Sequence, residues 1–209
     1  MARPPGFDRQ QVLAAVERQF RKTGYAGTSL DDLCAVTGLG RGSLYAAFGD
    51  KHSLFLAAFG GYCDRNESFA TAALGGPDDE ALTRLRCFLV SSVSSVFDDS
   101  DRLGCMALKF AVELANEDEA VATRIKQDLS LLQRMVRDCV EAAQRAGHLD
   151  PEIPAGELAS LVVTMSRGLD VVSQASGAEA AMQAVAERAF ASLPLTPAGR
   201  LAVAATATV

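Results

Sequence analysis

The sequence predicts an all-α protein: a three-helix N-terminal head closed by a helix-turn-helix unit, then a larger helical bundle. Three observations lead there. Apolar residues recur at three- and four-residue spacing along most of the 209 residues, and no stretch alternates with period two for long enough to make a strand. Trp is absent and aromatics are only 6%, so the core must be built mainly from Ala, Leu and Val, which suits closely packed helices. Near the N-terminus, Gly38-Leu39-Gly40 separates two short apolar segments with a turn too tight for anything but a steep helix crossing.

The first helix is expected over 8–24. Asp8 is its N-cap, Val12, Ala15, Val16, Gln19 and Phe20 share a face, and Gly24 closes it. Thr28, with Asp31 three residues on, predicts the cap of a second helix from Ser29 to Thr37. A third, Arg41 to Phe48, follows the glycine turn with Leu44, Tyr45 and Phe48 inward, and Asp50 caps a fourth from Lys51 to about Ala70. The stretch Leu74-Gly-Gly-Pro-Asp-Asp79 is strong punctuation. Beyond it, helices are expected at 79–97, 105–115, 118–146, 154–174 and 178–193. Within 118–146, Val121, Ile125, Leu129, Leu132, Val136, Cys139 and Ala143 fall near heptad spacing. After Pro194 no amphipathic face is visible. The domain reading is therefore a head at 1–50, a regulatory and dimerisation body at 51–194, and a flexible tail at 195–209.

Net charge is −6, but it is unevenly spread: residues 1–52 carry seven Lys/Arg against five Asp/Glu, and the acidic excess lies in the rest. Five well-separated cysteines and only two histidines, His52 and His148, give neither a disulfide framework nor a zinc site. The cysteines read as small core residues and the histidines as exposed turn residues. No Gly-x-Ser-x-Gly, phosphate loop or histidine cluster suggests an enzyme, a cofactor or a metal. Glu117-Asp118-Glu119 reads as a solvated helix start. No segment reaches the ~18–20 apolar residues of a membrane span, and the first residues lack the apolar core of a secretory signal. The expectation is a cytoplasmic protein with no membrane partner.

The chemistry lies in residues 28–51. The helix starting at Arg41 turns Arg41, Gly42, Ser43, Ala46 and Ala47 away from Leu44 and Phe48. Arg bonds bidentately to guanine O6/N7, Ser pairs with several bases, and Ala packs on a thymine methyl. Thr28 and Lys51 stand at helix starts that suit phosphates, and Tyr45 can reach a phosphate with its hydroxyl. By pattern alone, an ordinary short helix of a bundle, in an interaction module that binds no DNA, stays open.

The run Phe20-x3-Gly24-Tyr25-x2-Thr28-Ser29-Leu30-x2-Leu33-Cys34-x2-Thr37-Gly38-Leu39-Gly40-Arg41-Gly42-Ser43-Leu44-Tyr45-x2-Phe48-x2-Lys51-x2-Leu54 resembles the N-terminal signature of TetR-type transcriptional repressors. The resemblance implies a homodimer that binds a double-stranded DNA operator with its first three helices, and a C-terminal part that binds a small-molecule inducer. It places Thr28, Tyr45 and Lys51 at phosphate-contacting positions, and Arg41, Gly42, Ser43, Ala46 and Ala47 on the recognition helix. Departures from the pattern are Gln19, Cys34, His52 and the small pair Ala46-Ala47, which shifts base readout onto Arg41 and Ser43.

In the body, Gly104-Cys105-Met106-Ala-Leu-Lys109-Phe110-Ala-Val-Glu113-Leu resembles a segment of the branch that includes electrophile- and oxidant-sensing repressors. Cys105 at a helix start is either a sensing thiol or a small packing residue. Phe88, Cys105, Lys109, Phe110, Glu113 and Met135 are the candidate lining of an inducer pocket for a small hydrophobic or electrophilic compound; alternatively they fill the core. The helices at 154–174 and 178–193, with Leu158, Leu161, Val162, Met165, Gly168, Leu169, Met182, Val185, Ala186, Ala189 and Phe190, are either the homodimer face or part of the chain's own core.

Overall fold

The computed structural model describes residues 7–206, which form ten α-helices and one 3-10 turn. The helices are α1 (Arg9–Thr23), α2 (Leu30–Thr37), α3 (Arg41–Phe48), α4 (Lys51–Leu74), α5 (Ala81–Phe97), α6 (Met106–Glu113), α7 (Glu119–Arg145), α8 (Ala155–Ala175), α9 (Glu179–Ala191) and α10 (Pro197–Thr206), with the 3-10 turn at Asp78–Glu80. The first nine fall where helical periodicity and capping put them, to within a few residues.

The chain divides into two compact units. One comprises the residues up to Asn66 together with Cys105–Lys126, so α6 and the start of α7 belong with the head helices. Its core is Val12, Val16 and Phe20 from α1, Leu33 from α2, Leu44 and Phe48 from α3, Leu54, Phe55 and Phe59 from α4, and Met106 and Phe110 from α6. Phe55 is its hub, with ring centroids 5.1 Å from Phe20, 5.0 Å from Tyr25 and 4.8 Å from Phe110. Burying several aromatic rings this way removes 150–250 Å² of apolar surface for each, roughly, which lets a unit of short helices hold together.

The second unit, Glu67–Gly104 with the residues from Gln127 onward, centres on α5, whose Leu85, Leu89 and Val93 are fully buried against α8 and α9. Leu158, Val162 and Leu169 of α8, and Met182, Ala186 and Phe190 of α9, are buried in this core. They cannot form a surface between two chains. Leu161, Gly168, Val171, Val172, Ala181, Ala184 and Val185 of the same two helices are exposed instead. On α7, Leu129 departs from the expected buried row and is exposed.

The flexible tail expected at 195–209 is corrected over its described part. Thr196 Oγ1 accepts the Gly199 N–H at 3.0 Å and Pro197 occupies the first turn, the usual chemistry of a capped helix start. Thr196 N also donates to His148 O at 3.0 Å, and Ala202 and Val203 pack on the core. A Cβ on Gly199 would lie 2.2 Å from His148 O, so only glycine lets α10 approach the end of α7 this closely. Residues 207–209 lie outside the described residues.

Candidate nucleic-acid interface

The cap of α2 is one residue later than its sequence signal. Ser29, not Thr28, accepts the Asp32 N–H (3.1 Å), and Asp32 accepts the Ser29 N–H (2.8 Å), a reciprocal box that holds the Asp32 carboxyl below its usual range through the Ser29 hydroxyl and N–H. Thr28 is 1% exposed, and its hydroxyl donates to Gly24 O at 2.6 Å and lies 2.7 Å from Thr23 Oγ1. Its side chain therefore fastens the α1–α2 turn and is not presented to a phosphate. The cap and the buried position are adjacent hydroxyl residues, and local spacing does not distinguish them.

On α3, Leu44 and Phe48 are buried, Arg41, Gly42, Ser43, Tyr45 and Ala46 are exposed, and Ala47 is half-buried. Arg9, missed by sequence reasoning, donates from Nη1 to Ala47 O at 3.1 Å and sits 4.3 Å over the Phe48 ring, where a cation suits the C-terminal end of α3. Arg41 donates from Nε (3.1 Å) and Nη2 (2.6 Å) to Asp31 Oδ1. Lys51 opens α4 and donates to Tyr25 O at 2.7 Å, with Nζ 4.4 Å over the Tyr25 ring. Asp50 caps α4 through the Ser53 N–H at 2.7 Å, and that bond holds its carboxyl below the usual value. This basic, glycine-bounded face, where an added Cβ on Gly40 or Gly42 would meet nothing within 4 Å, has the form of a surface that docks a helix into a groove.

The six pocket candidates are divided between the two units. Phe88 and Met135 belong to the second unit, and Cys105, Lys109, Phe110 and Glu113 to the first. Phe110 is fully buried among Phe55 and Phe59. Lys109 Nζ donates to Arg21 O at 2.5 Å, and Glu113 Oε1 accepts the Ala26 N–H at 3.0 Å. Both polar groups of α6 are thus spent on the last turn of α1 and the loop after it. A cleft of about 120 Å³ in the second unit contains none of the six; it lies among Leu82, Arg86, His148 and Phe190 and is smaller than the ~300 Å³ of an ordinary ligand site.

Cys105 is half-buried at the N-cap of α6, and the Tyr62 hydroxyl beside it accepts the Met106 N–H at 3.1 Å. Burial first, then the neighbouring Cys105, pushes the Tyr62 phenol up. Of the other cysteines, Cys63 and Cys139 are core residues, Cys34 is half-buried, and Cys87 is exposed, against expectation. His52 is a half-buried member of the first turn of α4, its Nε2 2.5 Å from Asp118 Oδ2, while Asp118 Oδ1 caps α7 through Ala120 N and Val121 N. Neither residue is the solvated bystander that its sequence context suggested. His148 is likewise half-buried.

Residues 12–58 match the model of the bacterial regulatory proteins of the tetR family, and residues 81–189 match the tetracyclin repressor-like C-terminal domain. The chain belongs to the TetR family. As a TetR regulator it is a DNA-binding transcriptional repressor by kind, with α2 and α3 as its helix-turn-helix. It is 26% identical over 170 residues to the transcriptional repressor ComR of Escherichia coli, covering 81% of this chain and 80% of ComR. The TetR family regulator CifR, solved as a cysteine mutant with 26-bp operator DNA, superposes with TM-score 0.77 at 28% identity, over 92% of this chain and all of that one. Reduced NemR of E. coli shares the TetR fold, with TM-score 0.76 at 15% identity over 90% and 98%. Among the described residues no helix is long and apolar enough to cross a membrane, and no cluster of His, Cys, Asp and Glu could hold a metal ion.

Proposed function

We propose that this TetR regulator acts as a homodimer that grips a near-palindromic operator, one α3 in each of two major grooves, and is released by a small molecule. By role, the DNA-binding head is residues 1–50 and the regulatory and dimerisation body 51–194, with the body's α6 packed in the same unit as the head helices. The observation that carries the reading is the exposed, glycine-bounded face of α3 with Arg41 at its start, on a chain of this family. One short helix reads few base pairs, so useful affinity calls for two heads on one duplex. The exposed apolar residues Leu161, Gly168, Val172, Ala181 and Val185 support pairing through α8 and α9: Leu161, Val172 and Val185 are 41%, 54% and 49% exposed. Arg41 and Ser43 supply base readout, Gly42 and Ala46 allow close backbone approach, Ala47 stands behind them, and Tyr45 and Lys51 meet phosphates.

Release is proposed to work through α6. Lys109 and Glu113 bind it to the end of α1, so a ligand that prefers a displaced α6 also prefers a displaced head. A hundredfold loss of operator affinity requires about 2.7 kcal/mol of such preference. Selection from a randomised duplex library, followed by sizing of the complex, tests the operator and dimer together; a thermal-shift screen with apolar compounds tests the inducer.

A second reading has its own observation: a half-buried Cys105, outside any disulfide, at a helix N-terminus, in a chain similar to CifR, whose solved forms carry cysteine substitutions. Here the Cys105 thiol gives its proton to solvent, its sulfur forms an S–C bond with an electrophilic alkene as the C=C π bond opens, the adjacent carbon takes a proton back from solvent, and the added group displaces α6. DNA release by N-ethylmaleimide that disappears in Cys105→Ser supports the thiol switch; release that persists refutes it.

A further inference from the structure

The guanidinium of Arg41 is held by one carboxylate oxygen. Nε and Nη2 both donate to Asp31 Oδ1, at 3.1 and 2.6 Å, across the gap between the first turn of α2 and the first residue of α3. Both side chains are open to solvent, 62% exposed for Arg41 and 74% for Asp31. An ion pair so exposed adds little to stability. Its consequence is geometric.

A guanidinium offers two edges for paired hydrogen bonds: a side edge made by Nε and one Nη, and an end edge made by both Nη atoms. Asp31 occupies the side edge. The end edge stays open, and it supplies the two parallel donors that guanine O6 and N7 require. Pairing on the side edge disfavours the rotamers in which Arg41 swings onto a phosphate. The second oxygen of Asp31 is an acceptor beside that arginine. It repels phosphates, and it matches the cytosine N4 amine, the donor on the major-groove edge.

We propose that Asp31 is the specificity-determining partner of Arg41: it aims the end edge of the arginine at a guanine and suppresses its use as a non-specific phosphate anchor. The inference rests on the proposed docking of α3 in the major groove. It predicts two effects of opposite sign from one substitution. Removing the Asp31 charge lowers discrimination at one base pair and strengthens binding to unrelated DNA. A role confined to favouring the α2 N-terminus would instead weaken all DNA binding alike.

The test uses the full chain. Wild type first selects its site from a randomised duplex library; the selected duplex, single-base changes of it and a scrambled duplex are then titrated with wild type, Asp31→Asn, Arg41→Ala and the double variant. Arg41→Ala identifies the base pair it reads. At that pair Asp31→Asn is expected to reduce discrimination about tenfold, to bind the scrambled duplex severalfold more tightly, and to have no effect on discrimination once Arg41 is Ala. Equal weakening on every duplex, unchanged discrimination, or the same loss in the Arg41→Ala background overturns the role of Asp31 while leaving α3 docking intact. If wild type selects no sequence, or Arg41→Ala changes no base preference, the docking itself fails and the inference with it. Melting curves of Asp31→Asn confirm that the folded protein is being compared.

Discussion

Glu113 Oε1 accepts the backbone N–H of Ala26 at 3.0 Å, tying the last residue of α6 to the loop that follows α1. The same carboxylate lies against the α-carbon of Gly24, where an added Cβ would stand 2.9 Å from Oε2. Four residues earlier, Lys109 donates to Arg21 O in the last turn of α1, where a cation also meets the negative end of the helix dipole. Two i, i+4 side chains on one face of α6 therefore serve the C-terminal end of α1 together.

Gly24 has φ 80° and ψ 173°, backbone that side-chain-bearing residues scarcely adopt. Gly24→Ala should cost about 1–3 kcal/mol in thermal or urea melts. Glu113→Ala should relieve only the contact with the new methyl group, so the double variant should stay well below wild type. Full recovery would show that the clash, and not the backbone, sets the cost.

Thr28 and Lys51 should separate cleanly. Thr28→Val deletes a buried hydroxyl bonded to Gly24 O and should cost about 1–3 kcal/mol of stability with no change in the salt dependence of DNA binding. Lys51→Ala should weaken binding to all sequences and reduce the slope of log affinity against log salt by about one. A reduced salt slope in Thr28→Val would restore the phosphate role that family resemblance suggested.

Asp118 should shape the acid limb of stability. Burial raises its carboxyl, but the bonds from His52, Val121 N and Ala120 N together outweigh burial and leave it below its ordinary value. The stability it contributes is fully present above the unfolded aspartate value of about 3.9 and is lost as pH falls through the lower folded value. Asp118→Asn should therefore lower stability at neutral pH and flatten the loss below about pH 4. An unchanged acid limb would remove Asp118 from this account.

Gly199→Ala should displace α10, because the atom met at 2.2 Å is backbone, His148 O, and cannot rotate away. The expected cost is about 1–3 kcal/mol, as for other overpacked sites, read by melting. Wild-type stability would mean that α10 contributes nothing to the fold.

The head was legible because its elements are written locally: Asp8, Gly24, Gly38 and Gly49 bound helices whose apolar faces repeat every three to four residues. Thr196-Pro197 was equally local, a cap before a proline, but the alanine-rich segment after it gave no periodic face to attach it to. What stayed hidden depends on pairs distant in sequence. Nothing near Asp31 indicates that Arg41 will meet it, and Lys109 and Glu113 read as pocket polar groups because their partners, Arg21 O and Ala26 N, are backbone atoms more than eighty residues away. On α8 and α9 the composition announced helix packing, but only burial separates the core residues Val162 and Ala186 from the exposed Leu161 and Val185.

The most direct test of the central claim is the sequence that the full-length protein enriches from a randomised duplex library, with the mass of the complex measured on the enriched duplex. The account predicts a near-palindrome whose half-site centres are about 34–36 Å apart or a multiple of that, bound by an even number of chains, with one base preference in each half lost in Arg41→Ala. Enrichment of a single asymmetric site bound by one chain, or of no sequence at all, would contradict it.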